Sequence, residues 1–380
     1  MHNKIEEKLR NYDKLKLLDL ISKSFNSNDI TNITYNYTPI VSSKGAATDG
    51  VYRVYGKAKV KSITKDWSFI LKVLSSTQVG ETDICHPLYW KREAIIYDST
   101  LLDTLPSKLK GPKCYSIEKQ TDNSIWLWME ELSDDSLWSL DQYSKSAKIL
   151  GNFNGEYISK KAMPNYPWLT QNGSPRATLH HLSWIKKSIE DKAIWEHPMI
   201  RSAFSKSTSK HLIKLWNDSP FLLDKLETLS ETFCHLDAFR RNMFFSQDNI
   251  LTLIDWSYAG KGIIGTDISD LASASFSMFE TNLSKPNDLF DIILESYIDG
   301  LKDVGWNGSY EKIKFAFYTI SALKYGCLLM WLPNISDKTS YKIWEQISKH
   351  SMEEYIHQQG ILVSYLLSLS DEARKLYEII

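Results

Sequence analysis

The hydrophobic pattern changes period several times along this chain. Between residues 4 and 25, Ile5, Leu9, Tyr12, Leu17, Leu20 and Ile21 recur near helical spacing with Lys and Glu between them. That spacing predicts one amphipathic helix lying on the domain surface. From 33 to 74 the period falls to two. Ile33–Ile40, Val51–Val60 and Trp67–Leu74 predict three strands, with a small polar loop, Ser42–Gly50, between the first two. Tyr89–Leu102 reads as helix, and Pro106, Gly111 and Pro112 punctuate its exit. Lys113–Ile117 and Ser124–Glu131 predict two further strands around a turn at Thr121–Asn123.

After Leu132 the strand signal fades. Ser136–Ser159 predicts a helix and Pro164–Pro175 a loop. Most of 178–232 reads as helix, broken at Pro198 and Pro220. Asn242–Ser246 and Ile250–Trp256 flank Gln247–Asn249 as a small hairpin, and 268–380 is almost all helical in pattern. No internal repeat or low-complexity tail interrupts it. The expected fold class is α+β and bilobal: a β-rich N-terminal lobe over 1–132 and a helical C-terminal lobe over 133–380, joined near Glu131–Asp135.

Composition narrows the picture without changing it. The 380 residues are 43% hydrophobic and 24% charged, with a net charge of −1. This balance argues against a nucleic-acid binder that works by phosphate neutralisation. Cys85, Cys114, Cys234 and Cys327 form no C-x-x-C pair, and no His pair has zinc spacing, so a reducing, cytoplasmic setting is expected. Met1–Phe25 is rich in Lys and Glu and unlike a signal peptide, and no stretch reads as the 18 or so apolar residues of a membrane span. A monomer or homodimer with no membrane or nucleic-acid partner is the expectation.

Three groups of residues carry candidate chemistry. The first is His235-Leu236-Asp237-Ala238-Phe239-Arg240-Arg241-Asn242, followed by Ile254-Asp255-Trp256, which puts two aspartates 18 residues apart with an Asn between. The second is Lys72, in an otherwise apolar strand, where a Lys is costly to bury unless paired. Glu93 on the following helix is its natural partner, and Glu81 competes. The third is Ser42–Gly50, where Gly45 and Gly50 let backbone N–H groups approach an anion and Ser43 and Thr48 offer hydroxyls; an ordinary hairpin loop has the same composition.

The first two groups resemble the aminoglycoside phosphotransferases, choline kinases and related small-molecule kinases. Their pattern is H-G-D-x-x-x-x-N and then I-D-[WF]. In element order the resemblance spans roughly residues 35–330 and takes in Ile70–Leu74, Arg92-Glu93 and Trp128–Leu132. It implies a protein-kinase-like fold and ATP-dependent transfer of a phosphoryl group to a hydroxyl of a small molecule. By the same resemblance, Asp237 is the catalytic base, and Asn242 and Asp255 hold Mg. Lys72, oriented by Glu93, holds phosphates under the Ser43, Gly45 and Thr48 loop, and Glu130–Leu132 forms the adenine hinge. His235 is structural. The sequence does not separate ATP from GTP.

The match also has departures. Leu236 stands for the usual Gly, Phe239 for a frequent His, and Arg240-Arg241 where small residues are common. Asp255-Trp256-Ser257 is not D-F-G, no A-P-E segment follows, and Phe239 is not the Lys that Ser/Thr protein kinases carry two positions after the catalytic Asp; all three point away from protein substrates. Asp270 matches the family's D-L-A letters while Asp267 better matches its spacing, and the two stay unresolved. Asp134 and Asp135 could attract a cationic acceptor or cap a helix. Trp168, Trp184, Tyr325 and Trp331 are available to an aromatic one.

Overall fold

The structure is a computed structural model, and it describes residues 2–40, 47–76, 82–133 and 137–380. The chain divides into two compact units. One comprises Met1–Leu105, Lys110–Asp134 and Thr252–Tyr258; the other comprises Pro106–Leu109, Asp135–Leu251 and Ala259–Ile380.

The first unit opens with α1 (His2–Arg10) and α2 (Lys14–Phe25), two helices where the periodicity predicted one. The break is chemical: the Asp13 carboxylate accepts a 2.8 Å bond from the Leu15 N–H and starts the second helix. Such a cap contributes about 1 kcal/mol. The strands β1 (Ile30–Pro39), β2 (Thr48–Val60) and β3 (Ile63–Leu74) follow, then α3 (Arg92–Asp98). After β4 (Leu109–Lys110) come β5 (Cys114–Lys119) and β6 (Ile125–Glu130). The sheet is antiparallel in the order β1-β2-β3-β6-β5, so β3 is its central strand. Two of the expectations shorten: α3 covers only the middle of Tyr89–Leu102, and Thr48–Gly50 belong to β2 rather than to the loop. Ser43, Gly45 and Glu81 lie outside the described residues, as do Asp134 and Asp135.

Period two assigns the two sheet faces. Phe69, Leu71 and Val73 of β3 join Trp126 and Trp128 of β6 in one core with Leu9, Leu17, Leu20 and Ile21 of α1 and α2. Leu74, Leu127, Met129 and Ile70 share the other face with Ala94 of α3. Lys72, between Leu71 and Val73, therefore falls on the α3 face.

The second unit is mostly helical: α4 (Leu140–Ser159), α5 (Pro175–His181), α6 (Trp184–Glu190), α7 (Lys192–Trp195), α8 (Pro198–Ala203) and α9 (Thr208–Leu226), then α10 (Thr266–Ser277), α11 (Asn287–Asp303), α12 (Tyr310–Ser321), α13 (Lys338–Ser348) and α14 (Met352–Tyr377). The helical pattern is broken at Pro198 as expected, with α8 starting there, but Pro220 lies inside α9 without ending it. The Trp216 carbonyl that Pro220 cannot serve accepts from the Ser219 hydroxyl at 2.7 Å. Two short strands, β7 (Glu231–Cys234) and β10 (Gly260–Ile263), pair antiparallel and were not foreseen. In β10, G-K-G-I has no alternation to read. Its Gly260 is required because a Cβ there would come within 2.2 Å of the Thr170 carbonyl oxygen. The hairpin is present but shorter, with β8 (Met243–Phe245) and β9 (Leu251–Leu253) closed by Ser246 N–H donating to Ile250 O at 2.9 Å. After α12 the chain winds a π-turn over Ala322–Cys327. One stretch does meet the length and apolarity of a membrane span, against expectation: Tyr310–Asn334, whose most apolar 18-residue window is 78% buried, as in a core helix.

Candidate active site

In the first unit a buried cation meets two carboxylates. Lys72 pairs with Val51 on β2 and Leu127 on β6, so it sits in mid-sheet rather than on an exposed edge. Its Nζ lies 2.7 Å from Glu93 Oε2 and 2.9 Å from Asp255 Oδ1, with only 9% of the side chain exposed. Burial alone would lower the lysine, but Asp255 and Glu93 outweigh it and hold the ammonium above its usual value. Burial dominates at Glu93, whose carboxyl is pushed up to about 7 in spite of Lys72. The sequence expectation that Glu93 is the partner corresponds to a direct ion pair.

The neighbour of Glu93 explains how it is placed. Arg92 is fully buried and donates to three carbonyls: Pro87 O at 2.5 Å, His86 O at 2.6 Å and Ser257 O at 2.8 Å. It ties the first turn of α3 to the chain just past Asp255. Burial pushes this guanidinium down to about 10. The sequence named Arg92 only as a letter beside Glu93; nothing in the pattern gave it this task. Asp255 takes a left-handed backbone (φ 61°), a conformation that is uncommon off glycine and concentrates at functional sites. Trp256 beside it is buried, with its indole N–H on Leu253 O at 2.7 Å.

In the second unit Asp237 follows β7 on a loop fixed by backbone bonds. Asp267, in the first turn of α10, accepts from Leu236 N–H at 2.9 Å, His235 N–H at 3.1 Å and Asn154 Nδ2 at 3.2 Å. Asn154 is itself held by Phe233 O and the Tyr297 hydroxyl. Asp267 is completely buried, and burial outweighs those bonds to push it up to about 6. His235 is wholly buried. Asn242 donates its Nδ2 to Asp237 O at 2.9 Å and Oδ2 at 3.0 Å, which orients the carboxylate and turns the Asn242 carbonyl oxygen away from that bond.

Leu236 shows why the resembled family uses Gly here: its φ is 65°. The leucine fits because two glycines face it. A Cβ on Gly173 or Gly262 would come within 2.8 or 2.7 Å of the Leu236 side chain. Asp267 is thus the residue that steadies the loop, while Asp270 lies one turn on, bonded to Lys324 Nζ at 2.6 Å and Tyr325 OH at 2.8 Å. Arg240 and Arg241 are each engaged by the surrounding chain. Arg240 is 5% exposed, packs 4.3 Å over the Trp138 ring and donates to Met243 O; Arg241 pairs with Glu280 and donates to Ile347 O at 2.6 Å.

The remaining sequence-predicted residues divide. Thr48 is buried at the start of β2. Glu130 ends β6, its N–H on Lys113 O and its carboxylate accepting from Lys113 N–H at 2.8 Å, so its side chain is committed locally; Leu132 follows in an irregular stretch. Trp331 is buried and Trp184 is 44% exposed. Among the described residues, no three His, Cys, Asp or Glu side chains gather as a metal site. Asn242 and Asp255 nevertheless fit magnesium in donor type, since each presents oxygen, and that ion takes only one or two carboxylates beside waters and phosphates.

A buried Lys–Glu pair on a central strand, the Asp255 turn and the Asp237–Asn242 loop are the features in which this chain resembles the protein-kinase-like phosphotransferases of small molecules. Comparison with known proteins agrees: residues 172–289 match the model of the phosphotransferase enzyme family (APH). No curated protein is significantly similar in sequence. Three solved structures share the fold over almost their whole lengths. An aminopropanol kinase associated with a microcompartment has TM-score 0.55 and 12% identity, covering 94% of this chain and 97% of its own. A spectinomycin phosphotransferase in complex with ADP and spectinomycin has 0.51 and 13%, covering 95% and 98%. An amicoumacin kinase in complex with AMP-PNP, Ca2+ and Ami has 0.50 and 12%, covering 95% and 97%. The resemblance read from the sequence and the bilobal α+β fold class are upheld.

Proposed function

We propose that this protein transfers the γ-phosphoryl group of ATP, with Mg2+, to a hydroxyl of a small molecule, and that Asp237 is the base. The observation that carries the reading is Lys72: a buried ammonium in mid-sheet, bonded at once to Glu93 and Asp255. An isolated structural charge there would be costly, whereas an ammonium held by two carboxylates is ready to meet phosphate oxygens. Asp255 and Asn242 would hold the magnesium, which neutralises charge on the phosphates. Asp237, aligned by Asn242, would take the proton of the attacking hydroxyl as the oxygen bonds to phosphorus and ADP leaves. Thr48 and the loop with Ser43 and Gly45 would cover the phosphates, and Glu130–Leu132 would hold adenine through the backbone. AMP-PNP and ADP in two of the fold relatives favour an adenine nucleotide over GTP.

An antibiotic, a sugar or an amino alcohol is the expected acceptor, in keeping with the amicoumacin, spectinomycin and aminopropanol of the three fold relatives. A cytoplasmic enzyme, monomeric or homodimeric, remains our reading. A non-catalytic nucleotide-binding protein is the alternative, and Lys72, Asp237, Asn242 and Asp255 standing together in the sequence speak against it, as the lack of an A-P-E segment speaks against a protein kinase. The test has two arms. MgATP at about 100 times its dissociation constant should stabilise the fold by about 2.7 kcal/mol. Asp237→Asn should then slow ATP hydrolysis by roughly 10²–10⁴-fold while leaving that stabilisation in place. No stabilisation by any nucleoside triphosphate ends the proposal; equal hydrolysis by Asp237→Asn removes its catalytic half.

A further inference from the structure

The cluster around Asp270 is not accounted for by loop steadying, which Asp267 performs. Asp270 is completely buried, yet its Oδ1 is shared by two consecutive residues of the π-turn, Lys324 at 2.6 Å and Tyr325 at 2.8 Å. Two neighbours in an ordinary helix point about 100° apart. The widened turn brings both onto one carboxylate, and such single π-turns are frequent at functional sites. Asp270 Oδ2 is buried with no hydrogen-bond partner among the described residues, so the buried carboxylate serves the π-turn alone.

The cluster is linked to the Asp237 loop by a short chain of contacts. Leu236, next to Asp237, bonds Asp267; Asp270 stands three residues further along α10 on the same face; Lys324 bonds Asp270. Lys324 keeps about a third of its side chain exposed (32%), and an ammonium has three N–H donors, of which one goes to Asp270. Burial would lower this lysine, but Asp270, Asp237 and Asp267 together hold it above its usual value. Burial, Asp270 and Asp237 likewise keep the Tyr325 hydroxyl protonated. The two arginines of the loop are committed, Arg240 to Trp138 and Met243 O, Arg241 to Glu280. Two positions after Asp237 stands the apolar Phe239.

Resting on the function proposed above, we propose that Lys324 is a catalytic cation of this enzyme, binding the transferring phosphoryl group beside Asp237, with Asp270 and Tyr325 as the residues that position it. With water as acceptor, its oxygen bonds to the γ-phosphorus, the bond to the β-phosphate bridging oxygen breaks, ADP leaves with the electron pair, and Asp237 takes the water proton. Lys324 keeps its own protons and offers N–H donors to the phosphoryl oxygens.

The experiment is steady-state hydrolysis of MgATP by the full-length protein, with MgATP affinity measured separately by calorimetry. Lys324→Met should lower kcat by at least about tenfold, as loss of a preorganised donor does, and leave the dissociation constant within about threefold. Because that variant leaves Asp270 buried without a counter-charge, Lys324→Met/Asp270→Asn is the companion; it should fold and show the same kcat loss. Lys324→Arg should recover part of the rate, which a merely structural lysine would not require. Wild-type kcat in the double variant overturns the assignment of Lys324 alone. A wild-type protein that neither binds nor hydrolyses MgATP overturns the proposed function itself, and this assignment with it.

Discussion

The two buried charge clusters are built by opposite means. In the first unit, Lys72, Glu93 and Asp255 meet side chain to side chain, and the exposed third of Asp255 is where the cluster opens to solvent. In the second, Asp267 spends its oxygens on backbone N–H groups and on Asn154, and the next charge, Asp270, is reached only through a π-turn. The first arrangement fixes a cation with charge. The second fixes a loop with dipoles and leaves Lys324, bonded to Asp270, partly exposed. Removing a member should therefore do different things in the two places.

The largest effect is expected at Lys72. Lys72→Met strands Glu93 in a site where it is 1% exposed, and breaking a buried pair costs about 3–5 kcal/mol. Since Glu93 is already pushed up to about 7, it can take a proton instead, so the cost should be smaller at pH 6 than at pH 8. Urea unfolding at both values measures this. An equal loss at the two pH values would mean that Glu93 does not relieve the site by protonation. Asp267→Asn should cost less, about 1–3 kcal/mol, because one carbonyl oxygen still accepts while the new NH2 faces the N–H groups of Leu236 or His235. Its cost should vary little between those same two pH values, both at or above the value of about 6 to which Asp267 is pushed.

How far each cluster could be read from the sequence follows the same division. A Lys inside I-L-K-V-L and a Glu at the head of the next helix are letters that stand out against their surroundings, and they proved to be 2.7 Å apart. Asp267 and Asp270 were visible as candidates but not separable, because backbone donors have no letter and a helix face does not say which carboxylate turns toward a loop. The π-turn carries A-L-K-Y-G-C, indistinguishable from ordinary helix. For the fold, the long alternating strands of the sheet were legible, whereas β7 and β10, four residues each, were lost among helices. Pro220 was misjudged because its substitute donor, Ser219, acts on a carbonyl that periodicity cannot see.

A subtler contrast is in pH. Glu93 is pushed up to about 7 and Asp267 to about 6, so below those values the folded chain holds protons that the unfolded chain releases nearer pH 4. Each contribution to stability is complete below the unfolded value and disappears as pH rises through the folded one. The stability difference between wild type and Glu93→Gln should therefore shrink as pH rises from about 4.5 to 7, and that between wild type and Asp267→Asn from about 4 to 6. Melting temperatures across pH 4–8 give both curves. A Glu93 difference that grows over its window contradicts burial as the dominant influence there.

The smallest expected effect tests why the loop tolerates a leucine. Leu236 holds φ at 65°, a strain of roughly 1–2 kcal/mol for a non-glycine residue, but its side chain fills the space that Gly173 and Gly262 leave. Leu236→Gly removes the strain and the packing together, so its net effect should be within about 1 kcal/mol of zero. Gly262→Ala should destabilise the wild type, because the new Cβ meets Leu236 at 2.7 Å, and also Cys234 Sγ at 2.9 Å. In the Leu236→Gly background only the second clash remains. A double-mutant cycle should then show a coupling of about 1 kcal/mol between the two positions. Strict additivity would mean that Gly262 serves the β7–β10 pairing alone, and that the leucine at this turn is carried by something other than the space opposite it.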